Sequence, residues 1–173
     1  MNDVNRSAEF SECGQYRWSL KRSWEHGENG RFICFVMLNP STADALVDDP
    51  TIRRCIGFAR RDGFNVLVVR NLFALRATDP KQLRKANYPT GGRCGDSWLR
   101  AAAGADLLVA AWGANVPFHR DREAMRMFRG KTVYCLGRTK NGNPRHPLYV
   151  RADQPFEVFH SDKQPETRVP RCT

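Results

Sequence analysis

Several absences narrow the possibilities before any motif is read. No C-x-x-C pair occurs: Cys13, Cys34, Cys55, Cys94, Cys135 and Cys172 are scattered, several of them inside apolar strand or helix patterns. Reduced core cysteines behave this way, so neither a metal site nor a disulfide framework is predicted. No apolar run approaches the ~20 residues that a membrane span requires. The opening stretch MNDVNRSAEF lacks the apolar centre of a signal peptide, which points to a cytoplasmic protein. A G-x-x-x-x-G-K-[ST] phosphate loop is missing, which argues against a nucleoside triphosphatase. Internal repeats and low-complexity blocks are missing too.

Positive charge, by contrast, is plentiful. The chain has 28 Lys and Arg against 18 Asp and Glu, a net charge of +10, and the basic residues recur throughout its length. Such a field attracts polyanions and makes nucleic acid the expected partner. At 173 residues the chain suits a single domain. Its core is expected over about residues 14–152, with an irregular tail over 153–173 that is rich in Pro, Gln and charge. No protein partner or cofactor is called for, and a monomer is expected.

Periodicity supplies the elements. In YRWSLKRSW, Tyr16, Trp18, Leu20 and Trp24 alternate with Arg17, Ser19, Lys21 and Ser23, the pattern of a half-exposed strand. RFICFVML is nearly continuous in apolar residues, as a strand buried on both faces must be. DDPTIRRCIGFARRDG carries Asp49 as a cap, Pro50 at the first helical position and Gly63 at the end, with Ile52, Cys55, Ile56 and Ala59 at helical spacing. FNVLVVRNLFAL reads as a second buried strand and TDPKQLRKAN as another Asp-Pro helix start. Next come a helix in GDSWLRAAAGA, a strand in DLLVAAWG, a helix in HRDREAMRMF, a strand in KTVYCLG and a short strand in HPLYV. The order predicts an α/β fold with three layers, α/β/α. Its central sheet is mostly parallel with four to five strands, and an N-terminal antiparallel hairpin strand is added to it.

Open parallel sheets bind ligands at the carboxyl ends of their strands. The polar sequences NPSTAD, RNLFALRATD, WGAN and GRTKNGNPRHP all follow predicted strands, so they converge on one crevice. Asn39 precedes Pro40, which biases it toward an extended backbone and directs its side chain out of the strand. Its carboxamide carries both donors and an acceptor and can position a water. Ser41, Thr42 and Asp44 share that loop, whereas Asp49 reads as a helix cap. His146 differs from His26, His119 and His160: it lies just past the last core strand, near Lys140 and Arg145. Arg53 and Arg54, on the predicted helix, are further candidates for phosphate contact.

MLNPS after the first core strand and RHPLY after the last resemble the two signature motifs of the uracil-DNA glycosylase superfamily, in particular its mismatch-specific branch. There the first motif reads G-I-N-P-G and the second is built on H-P-S. VRNLFALR, with Asn71, is similar to the superfamily's middle strand, and LLVAAWGAN to its strand-to-helix turn. The order covers Phe32 to Val150. Ser41 stands where the branch has Gly, Leu148 where it has Ser, and the cysteines of iron–sulfur branches have no counterpart. The run NPSTADA…DDPTIRRC…NLFALRATDP…AWGA…PRHPLY also closely resembles a bacterial and phage domain family of unknown function.

The superfamily resemblance implies a monofunctional DNA glycosylase that flips out a base and hydrolyses its N-glycosidic bond, leaving an abasic site. Asn39, with Asp44, would orient water, and His146 would stabilise charge on the leaving base. Pro40, Ser41, Thr42 and Asn71 would face the substrate, and Arg53, Arg54, Lys140 and Arg145 the phosphate backbone. With no lysine in the first motif, water and not a Schiff base is the implied nucleophile. The long TADALVDDP loop leaves room for a bulky or modified base, which suits either repair or defence against phage with modified DNA. The alternative is a non-catalytic DNA- or nucleotide-binding module on the same fold.

Overall fold

The computed structural model describes residues 4–24, 30–41 and 45–162. Its sheet has seven strands: β1 (Asn5–Phe10), β2 (Arg17–Ser23), β3 (Phe32–Met37), β4 (Val66–Asn71), β5 (Leu107–Ala110), β6 (Val133–Cys135) and β7 (Glu157–His160). They lie in the order β1-β2-β4-β3-β5-β6-β7. The central four, β4-β3-β5-β6, are parallel, while β1, β2 and β7 add antiparallel edges. The sheet is therefore wider and more mixed than the four to five mostly parallel strands expected. The helices are α1 (Pro50–Arg61), α2 (Gly92–Arg100) and α3 (Arg120–Met127).

Alternation along β3 divides the core in two. Ile33, Phe35 and Met37 pack with Ile52, Cys55 and Phe58 of α1 on one face. Cys34 and Val36 pack with Leu99 of α2 and with Ala124 and Phe128, at the end of α3, on the other. Both faces of β3 are thus buried, and this accounts for the continuous apolar run RFICFVML. The thiols inside are inert. Burial pushes Cys34 up to about 12 and Cys135 up to about 11, far from the thiolate that nucleophilic chemistry needs.

Several elements differ from expectation for local reasons. β1 lies outside the expected core, because its burial pattern is mostly exposed and carries no apolar stripe. β7 falls inside the tail expected to be irregular; the pairs Val133–His160 and Cys135–Glu157 hold it on β6. Its Phe159 stacks edge-on against Trp112, with ring centroids 5.8 Å apart. HPLYV is no strand but a 3-10 turn over Pro147–Tyr149, since Pro147 suits the first position of a helical turn. TDPKQLRKAN likewise yields only a 3-10 turn, Pro80–Arg84, capped by Asp79.

The head of α3 carries strain. α1 begins on Asp49, whose side chain accepts from the Ile52 N–H, followed by Pro50. α3 instead begins on His119, at φ 52°, with no side-chain cap. A left-handed backbone costs a non-glycine residue about 1 kcal/mol or more. His119→Gly is therefore predicted to stabilise the fold by about 1 kcal/mol and raise Tm by about 2–4 °C in thermal unfolding. An unchanged or lower Tm would show that the strain is compensated locally.

Candidate active site

A cavity of about 240 Å3 opens at the carboxyl ends of β3, β4 and β5. Its lining includes Asn39 and Ser41 from the loop after β3, Asn71 from the end of β4, Trp112 just beyond β5, and His146 beyond β6. Four of the residues singled out in the sequence thus meet, although more than a hundred positions separate the first from the last. Just below the usual ligand-pocket range of about 300–1,000 Å3, the cavity suits one heterocycle better than an extended ligand.

The Asn39 carboxamide is fixed by the chain around it. Its Nδ2 donates to the carbonyls of Pro40 at 3.0 Å and Ala77 at 2.7 Å. The Ala77 N–H in turn donates to the Pro40 carbonyl at 3.0 Å, so the loops after β3 and β4 are laced together. With both amide protons engaged, Oδ1 is left as the acceptor. Buried Pro40 is therefore a structural member of this lacing. Asn71 is only 8% exposed, and its Nδ2 has no hydrogen-bond partner among the described residues. A buried donor left open in this way is costly unless something in the cavity takes it.

His146 begins the 3-10 turn. The Leu148 N–H donates to its Nδ1 at 3.3 Å, which leaves the proton of the neutral ring on Nε2. Burial pushes the imidazole below its ordinary pKa, partly opposed by the carboxylate of Asp49. Burial thus favours the uncharged ring, which donates through Nε2. The turn is held by Arg54, which donates to the carbonyls of Pro147 and Val150. The half-buried Arg54 therefore helps position the histidine loop. Arg53 is exposed and donates to the Asp48 carbonyl. Lys140 and Arg145 are exposed, with Arg145 also donating to the Arg138 carbonyl at 2.9 Å. Thr42 and Asp44 lie outside the described residues.

Two charged lining residues were missed in the sequence. Asp49 does cap α1, with its Oδ1 accepting from the Ile52 N–H at 2.8 Å, yet the residue also lines the cavity. Its cap signature was strong enough to hide the second role. Arg17 was assigned to the solvent face of its strand, but it is 4% exposed and lines the cavity. Because β2 runs antiparallel to β4, its start lies at the carboxyl end of β4, where the Arg17 N–H donates to the Ala74 carbonyl. Period-two patterning has no access to that register. Among the described residues, no cluster of His, Cys, Asp and Glu is arranged to hold a metal ion. Nor is any described helix long and apolar enough to cross a membrane.

A protein-family model described as "Protein of unknown function (DUF1643)" matches residues 17–148, which take in every described lining residue, and the chain belongs to that family. No curated protein and no solved structure matches the chain.

Proposed function

We propose that this member of the family is a monofunctional DNA glycosylase, taking a flipped, non-standard base into the crevice and hydrolysing its N-glycosidic bond. The observation that carries the reading is the meeting of Asn39, Asp49 and the neutral His146 around one cavity sized for a base. The distant resemblance of the MLNPS and RHPLY motifs to the uracil-DNA glycosylase superfamily supports the same assignment.

A base within a duplex is inaccessible and must be unstacked at a cost of a few kcal/mol. The net charge of +10, with Lys140 and Arg145 exposed on the loop that leads to His146, provides phosphate contacts to offset it. Once the base is in the crevice, Asn39 Oδ1 accepts a hydrogen bond from the attacking water and aims its oxygen at the anomeric carbon. As the bond to the base nitrogen breaks, its electron pair leaves with the base. The His146 Nε2–H stabilises that developing anion, and the Asp49 carboxylate faces the cationic sugar. Water oxygen becomes the sugar hydroxyl. The proton it sheds passes through Asp49 to solvent, and the departed base is protonated from solvent. A neutral histidine suits this role, because it donates a hydrogen bond without first taking up a proton.

The test is incubation with duplexes carrying different deaminated, oxidised or alkylated bases. Released bases are identified by mass spectrometry and abasic sites by alkaline cleavage. Release of a free base with stoichiometric abasic sites supports the assignment. DNA binding with no release across the panel would favour the non-catalytic module instead.

A further inference from the structure

The loop joining β5 to α3 contains three non-glycine residues in left-handed backbone: Asn115 at φ 64°, Phe118 at φ 58° and His119 at φ 52°. For a bulky aromatic residue this is a rare conformation, and strain of this kind collects at functional segments. The same protein starts α1 and its 80–84 turn with Asp-Pro caps, so the uncapped, strained start of α3 departs from its own pattern. Local stability does not explain this loop.

Phe118 is 56% exposed. Beneath it the fully buried Phe73 meets its ring edge-on, with centroids 6.4 Å apart and planes at 69°. The ring is thus braced from the core and open to solvent on its outer side. The loop's root belongs to the crevice, since Trp112 lines it and Gly113 packs toward the Cβ of His146. Other exposed large apolar side chains follow a pattern. Among the described residues, Leu46 and Val47 follow β3, Tyr88 follows β4, and Leu148 and Tyr149 follow β6; only Val158, on β7, lies elsewhere. With that exception they occupy loops leaving the carboxyl ends of the parallel strands, the end where the crevice opens. An apolar, aromatic rim on a strongly basic protein matches a nucleic acid with disturbed stacking, with phosphates meeting the charge and base faces meeting the rings.

We infer that Phe118 is a stacking wedge: its braced ring takes the face of a base left without its neighbour when the target nucleotide enters the crevice. This rests on the reading of the crevice as a receptor for a base drawn out of DNA.

The probe is a duplex with 2-aminopurine beside a central mismatch, whose emission rises when stacking is lost. Wild-type protein is expected to raise the emission on binding. Phe118→Ala should abolish the rise and weaken binding by about tenfold, the scale of losing one base–aromatic stack. Phe118→Trp, which keeps a stacking face, should retain both, and melting curves of the two variants establish that each is folded. Binding by wild type without a rise in emission overturns the wedge, as does a Phe118→Ala protein that behaves like wild type. The glycosylase reading fails separately. Loss of the emission rise in Phe118→Ala, with no base released by wild type, keeps the wedge and removes the hydrolysis. Base release with Phe118-independent emission removes the wedge alone.

Discussion

Asn39→Ala is expected to lower single-turnover base release by about 10²-fold or more while leaving DNA affinity near that of wild type. The scale is that of removing one group positioned for the transition state. The two effects separate because the carboxamide is already committed on its donor side. Nδ2 is tied to the Pro40 and Ala77 carbonyls, and Oδ1 is what remains for the reaction. An acceptor that aims water matters most as the water begins to attack, and contributes little to holding the duplex. Alanine also removes the donor to the Ala77 carbonyl and one of two donors to the Pro40 carbonyl, which keeps the Ala77 N–H, so stability should fall by about 1–2 kcal/mol. Asn39→Asp sharpens the comparison. It keeps an acceptor on the cavity side but turns a carboxylate oxygen toward those two carbonyls, so it should destabilise more than alanine and still fail to restore the rate. Rates per folded molecule, affinity and Tm measured on both variants decide the matter. A folded Asn39→Ala protein with wild-type base release would sink the assignment.

Much of the site was legible because local rules and tertiary placement agreed. A continuous apolar run must become a central strand, central parallel strands deliver polar loops to one edge, and Asn39, Ser41, Asn71 and His146 all stand just after such runs. What escaped was set by pairing between distant segments. Arg17 enters the cavity only because β2 is antiparallel to β4, and β7 forms only because β6 offers it an edge. A tail rich in Pro and charge looks irregular in isolation. Once paired, it becomes the brace that holds Trp112 against the crevice through Phe159.

The arginines illustrate the same limit. Arg53 and Arg54 are adjacent and both looked like phosphate ligands, yet their helix turns them to different tasks. Arg54 faces the 147–150 turn and ties its carbonyls to α1, so the position of His146 depends on a helix roughly ninety residues earlier in the chain. Composition gives the excess of positive charge. It had no means of telling a cation that meets the solvent from one that holds a loop, because that depends on which carbonyls the fold brings within reach.

Asp49 supplies the second large effect, and its double duty makes the substitution informative. Asn caps a helix about as well as Asp, so Asp49→Asn keeps the hydrogen bond to the Ile52 N–H and should change stability by less than about 1 kcal/mol. What it removes is the negative charge beside the crevice. If that carboxylate faces the cationic sugar in the transition state, base release should fall by about 10²–10³-fold, as for loss of a preorganised electrostatic group. The same charge raises the pKa of His146 against the effect of burial. Without it the imidazolium loses its nearby anion, so the His146 midpoint, followed by NMR of its ring protons, should move to still lower pH. Asp49→Ala should match the kinetic loss and add about 1 kcal/mol of destabilisation for the missing cap. A purely capping Asp49 gives the opposite pattern: Asn at wild-type rate, Ala less stable but equally active per folded molecule. The histidine midpoint reports the electrostatic link independently of activity. A midpoint unmoved in Asp49→Asn would show that the carboxylate and the imidazole do not act on one another across the cavity, and wild-type base release in Asp49→Asn would remove Asp49 from the reaction.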